Sequence, residues 1–131
     1  DAMYLVKATA PINTEAHANA QSQLSSGKVK LLIDERVAKT KLMGTKVGQN
    51  MKPEERAEYL KPFTLTSILK EEMMNLREEN EGVNIILKQA NKGIRKDKFS
   101  AFEYGLYYIK QEEESKKKRK KFNAKDWCFM N

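Results

Sequence analysis

The chain is poor in the residues that build disulfides and zinc centres. It has one cysteine, Cys128, and one histidine, His17. An internal disulfide is excluded, and zinc is not expected, because Cys/His sites need more such ligands than the chain holds. The low thiol usage fits a reducing compartment. Long hydrophobic runs are also lacking. None approaches the roughly 20 apolar residues that span a bilayer, so no membrane partner is expected. The first residues do not show the basic-then-apolar order of a signal peptide. Neither GxxxxGK[ST] nor GxGxxG occurs, which excludes a phosphate-binding loop by motif.

The 131 residues are one domain's length, and 40% apolar with 8% aromatic residues suffices for a modest core. Charged residues make up 33%, with a net charge of +7 and a pI near 9.4. That balance favours an anionic partner, nucleic acid first. The chain opens at Asp1 in mid-element and is read as a piece of a longer one.

Residues Tyr4–Ala8 form a short apolar run that reads as a strand. Pro11 followed by Asn13 or Thr14 marks a helix start. Ala16, Ala20 and Leu24 give this helix a small-residue face, and Ser25, Ser26 and Gly27 end it. Lys28–Ile33 reads as a second strand, so that strand, helix and strand make a parallel, right-handed βαβ unit. Asp34 then lies at the carboxyl edge of a strand, where ligands bind in open sheets, or caps the next helix. That helix is short, over Val37, Leu42 and Met43. Gly44–Lys52 is expected to be a basic loop, either solvated or touching a nucleic-acid backbone. Pro53 opens a brief helix and Pro62 stops it. Thr64 or Thr66 caps a longer helix to Asn80, with Leu65, Ile68, Leu69, Met73 and Leu76 as its stripe. Val83–Ala90 reads as a third strand. The alternation predicts an α/β sheet with helices on its faces.

The most informative stretch is Asn91–Lys110. A loop carrying Lys92, Arg95, Lys96 and Lys98 surrounds one acid, Asp97. An amphipathic run follows with Phe99, Phe102, Leu106 and Ile109 on one helical face. Asp97 therefore sits at the first turn of a helix, placed either for chemistry or as a cap. Glu112, Glu113 and Glu114 precede Lys116, Lys117 and Lys118 by four residues, the favoured order for helical ion pairs. Lys116, Lys117, Lys118, Arg119, Lys120 and Lys121 form an unbroken basic run. It is a solvated helix end or a phosphate-contacting arm, with the composition of a nuclear import signal too. The domain reads as residues 1–115 and the basic tail as 116–131. The apolar cluster around Trp127, Cys128, Phe129 and Met130 is expected to dock on a surface.

The run KDKFSAFEYGLYYI resembles the C-terminal nuclease part of the large subunit of tailed-phage terminases. Less specific agreement extends over KATAPINTEAHANAQSQLSSGKVKLLID, LTSILKEEMMNL and the terminal DWCFMN. The resemblance implies an RNase H-like mixed or parallel sheet flanked by helices, here without its first strands. It implies a DNA endonuclease, using Mg²⁺ or Mn²⁺ held by three acids, that cuts concatemeric viral DNA during genome packaging. Asp97 matches the third acid, as catalytic and metal-binding residue. The other two would lie upstream of Asp1, so the chain alone would not cut. Lys92, Arg95, Lys96 and Lys98, with Lys116–Lys121, would contact DNA. Implied partners are double-stranded DNA, the rest of the terminase chain, a portal or the small terminase subunit, and a homodimer formed through an open sheet edge. The implied location is the cytoplasm of a bacterial host cell. Two other classes compete with this reading: a non-catalytic basic nucleic-acid-binding module, and a phage docking or structural piece.

Overall fold

A computed structural model describes residues 5–129, with side chains from Leu5 to Lys121. The elements are α1 (Ala10–Ser25), α2 (Glu35–Met43), α3 (Lys46–Asn50), α4 (Pro53–Met74), β1 (Leu76–Glu81), β2 (Asn84–Gln89) and α5 (Asp97–Phe129). The class is mixed α/β, mostly helical, with one two-stranded antiparallel sheet among the described residues.

Several expectations are corrected here. The parallel βαβ unit does not form. The described part of 4–8 is irregular (Tyr4 lies outside the described residues), and 28–33 makes bends and irregular chain. A strand needs a neighbour for its N–H and C=O groups. Over 30–34 the chain lies on α4 instead: Lys70 Nζ donates to the Leu32 carbonyl at 2.6 Å, and the Glu35 N–H donates to Ser67 Oγ at 3.2 Å.

Pro62 does not stop its helix, because α4 runs through it for 22 residues. An interior proline costs about 3 kcal/mol. Burial of Leu60 on one side and of Leu69 and Glu72 on the other favours one continuous rod.

The helix expected to reach Asn80 ends at Met74, and 76–81 becomes a strand. Asn75 enforces the change. Its Nδ2 donates to the Asn91 carbonyl at 2.9 Å, its Oδ1 accepts from the Asn91 N–H at 2.9 Å, and its own carbonyl accepts from the Ala90 N–H at 2.8 Å. This clasp closes the base of a hairpin whose register pairs Leu76 with Gln89 and Glu81 with Asn84. Gly82 turns the hairpin at φ 62; a left-handed residue at the first of two central positions suits the strand twist, and glycine adopts it without strain.

The expected loop at 44–52 contains a helical turn, α3, capped by Thr45 Oγ1 accepting from the Gly48 N–H at 3.0 Å. Asp34 caps α2, accepting from the Arg36 N–H at 2.9 Å. In both places a short polar side chain meets an orphan helix donor.

The core sits where α1 and α4 meet α5 and the hairpin. Ala16, Ala20, Leu69, Phe99 and Tyr107 are buried. Alanines on α1 let its backbone lie close to its neighbours, while polar pairs do much of the joining. Lys110 on α5 reaches Glu15 at 3.0 Å, and Tyr104 donates to Asn13 Oδ1 at 2.5 Å.

Candidate metal and nucleic-acid site

The loop from β2 to α5 is an ordered turn. The Asn91 side chain accepts from the Gly93 N–H at 2.9 Å, and the Ile94 N–H donates to the Asn91 carbonyl at 3.2 Å. Gln89 Nε2 holds the Ile94 carbonyl at 2.5 Å. Ile94 is half-buried, which leaves Lys92, Arg95 and Lys96 facing solvent around the start of α5.

Asp97 is the first residue of α5. A carboxylate there faces the positive end of the helix dipole. Its side chain is 75% exposed, and its partner is Arg95 Nη1 at 4.0 Å, an exposed pair of small energetic weight. The capping role expected as one reading of Asp97 falls to another acid. Glu72, on the last turn of α4 and 2% exposed, accepts from the Phe99 N–H at 2.8 Å. Phe99, packed beside it, is buried as well.

Of the expected DNA-contacting residues, Lys92, Arg95, Lys96 and Lys98 lie together by the α5 start, Lys98 half-buried and the others exposed. Lys116, Lys117, Lys118, Arg119, Lys120 and Lys121 are exposed and lie on the same helix. At 1.5 Å per residue, the centre of this run is about 32 Å from Asp97 along the axis. One cationic group thus lies in the loop and first turn at the start of α5, and the other lies along the same helix. The 115/116 boundary falls inside α5, which is continuous through it. The side chains of the Trp127 cluster lie outside the described residues.

A second polar group went unnoticed in the sequence. His17 Nδ1 on α1 pairs with the Glu103 carboxylate on α5, with side-chain exposures of 14% and 3%. Burial pushes the Glu103 carboxyl above its ordinary range, and the hydrogen bond and charge of His17 act against that. Tyr104 is also pushed up, by burial and by the neighbouring Glu103 charge. Together with Lys96, Ser100, Phe99 and Ile85 these side chains line a cavity of about 320 Å³. Glu103 lies four residues from Phe99 and four from Tyr107, so the buried face of α5 contains an acid at its centre. That spacing was available in the sequence; what was lacking was the knowledge that His17 faces it.

Asp97 offers hard carboxylate oxygen of the kind Mg²⁺ and Mn²⁺ take. Among the described residues no group of three or more His, Cys, Asp or Glu side chains comes close enough to hold a metal ion. A two-ion centre requires several converging carboxylates, and these residues do not by themselves fit one. No helix among them is long and apolar enough to cross a membrane. Comparison with protein-family models, with curated proteins and with solved structures gave no match.

Proposed function

We propose that this chain is part of the nuclease domain of a phage terminase large subunit, with Asp97 contributing one carboxylate to a divalent-metal centre. The remaining acids and the rest of an RNase H-like sheet would come from segments outside residues 1–131. The reading rests on the resemblance at KDKFSAFEYGLYYI, and one structural observation carries it further. Asp97 stands exposed at the start of a rigid helix among cations, while Glu72 takes over the capping that would otherwise occupy it. Lys92, Arg95 and Lys96 would hold the phosphates of the strand near Asp97, fixing its position without reading its bases. The test is metal-dependent cleavage of linear duplex DNA by the full-length protein. Asp97→Asn should abolish cutting while leaving the fold and duplex binding in place; retained cutting would refute the role.

A second reading is favoured by the layout of α5. The basic run is centred about 32 Å along α5 from Asp97, around which the first cationic group lies, near the ~34 Å of one turn of B-form duplex. A basic module could hold duplex DNA across that span without cutting it. Duplex binding by the wild type, with no metal-dependent cleavage at full length, would select this reading over the first.

A further inference from the structure

We infer that Asn75 and Gln89 are positioning residues for the cationic group at the start of α5. They hold the backbone that carries Lys92, Arg95 and Lys96, so that these side chains meet phosphate already in place. The inference rests on the reading, common to both proposals above, that this group contacts duplex DNA. Residues 90–96 link β2 to α5. Lys92, Arg95, Lys96 and Lys98 crowd this link and the first turn, with Asp97 as the one acid among residues 90–98. Like charges so closely spaced repel one another, and a surface loop spreads them apart unless its backbone is fixed.

The fixing bonds come from outside the loop. Asn75, the C-cap of α4, is 8% exposed. Its Nδ2 donates to the Asn91 carbonyl and its Oδ1 accepts from the Asn91 N–H, each at 2.9 Å. Its own carbonyl accepts from the Ala90 N–H at 2.8 Å. Asn91 passes the constraint on: its side chain accepts from the Gly93 N–H at 2.9 Å, and its carbonyl accepts from the Ile94 N–H at 3.2 Å. Gln89 Nε2 donates to the Ile94 carbonyl at 2.5 Å. Beyond the cations, the Phe99 N–H donates to Glu72 at 2.8 Å. Glu72 and Asn75 stand three residues apart, on one face of the end of α4. Both ends of the cationic segment are thus moored to a single turn of α4.

Positioning and contact have different signatures. Asn75 and Gln89 carry no charge, so their loss removes no cation and leaves the number of counterions released on binding unchanged. It frees the segment in the unbound protein, and binding must then order that segment again. Affinity falls while the salt dependence stays the same. Removal of a cation lowers both.

Duplex binding by the full-length protein, read by fluorescence anisotropy over a salt series, tests this. Asn75→Ala and Gln89→Met should each weaken binding about tenfold, the scale of reordering one or two long side chains, with the slope of log K against log salt unchanged. The triple variant Lys92→Gln/Arg95→Gln/Lys96→Gln should instead lower that slope by up to about 2.7, at ~0.9 for each phosphate. Hydrogen exchange gives a readout without DNA. The Asn91, Gly93 and Ile94 amides should exchange faster in Asn75→Ala, while amides in the middle of α1 and α4 keep their wild-type protection. Gln89→Met decides the matter if Asn75→Ala does not fold. Wild-type binding that the triple variant leaves unchanged would refute the phosphate reading and the inference with it. Where the triple variant does weaken binding, an unchanged affinity in folded Asn75→Ala or in Gln89→Met, or a fall accompanied by a lower slope, overturns the inference alone.

Discussion

Glu72 on α4 accepts a hydrogen bond from the Phe99 N–H at 2.8 Å, and so caps a helix that begins 25 residues after it in the chain. The bond joins the last turn of α4 to the first turn of α5, the two longest helices. It also removes the reason for the Asp97 carboxylate, two residues before Phe99, to turn back onto its own backbone. The roles divide between the two acids: Glu72 is structural and buried, Asp97 is exposed and available.

Their substitutions should therefore differ. Glu72→Ala leaves a buried N–H without a partner, and a loss of about 1–3 kcal/mol in unfolding free energy is expected from that alone. Asp97→Asn alters an exposed side chain and should stay within about 0.5 kcal/mol of the wild type. Urea melts of both variants measure the contrast. Equal losses would mean that Asp97 shares the capping.

The His17–Glu103 pair makes a prediction about pH. The Glu103 carboxyl lies above its ordinary value because it is buried. A carboxyl raised by folding binds its proton more tightly in the native state. Its contribution is therefore fully present below the ordinary carboxylate value near 4.5 and is lost as pH rises through the raised one. The unfolding free energy of the wild type minus that of Glu103→Gln should fall across that window. A difference that rises with pH would mean that the ion pair with His17 outweighs burial.

The basic run on α5 predicts a salt dependence. Six consecutive helical residues point around the whole axis, at about 100° each, so roughly two or three of Lys116–Lys121 can face one duplex. Replacing all six by Gln should lower the slope of log K against log salt by about 2–3, at ~0.9 for every phosphate no longer neutralised. Fluorescence anisotropy over a salt series reads this directly. An unchanged slope would leave the run as a solvated helix end.

Much of α5 was legible because its signals are local. A loop of cations, an acid at the first turn and large apolar groups at helical spacing place its start at Asp97. The buried face was read less well. Ile109, expected inside, is 51% exposed, while Glu103 is buried, because a histidine 86 residues earlier in the chain supplies its partner. The hairpin was legible only in its second half. β2 has the apolar, partly β-branched centre Ile-Ile-Leu; β1, Leu-Arg-Glu-Glu-Asn-Glu, has the composition of a helix and is a strand because β2 needs a neighbour and Asn75 clasps Asn91. The strands expected at 4–8 and 28–33 failed for the converse reason: an apolar run specifies burial, and no other strand among the described residues lies beside them. The candidate site was half visible. Asp97 and its cations came from sequence, whereas the residue that frees Asp97 belongs to a different helix.

The central claim is that Asp97 is a metal ligand. Calorimetric titration of the full-length protein with Mn²⁺, wild type against Asp97→Asn, tests it most directly. The account predicts an affinity at least about tenfold weaker in the variant, as expected when a carboxylate ligand is removed, with an unchanged unfolding midpoint. Equal Mn²⁺ affinity in the two proteins would contradict it.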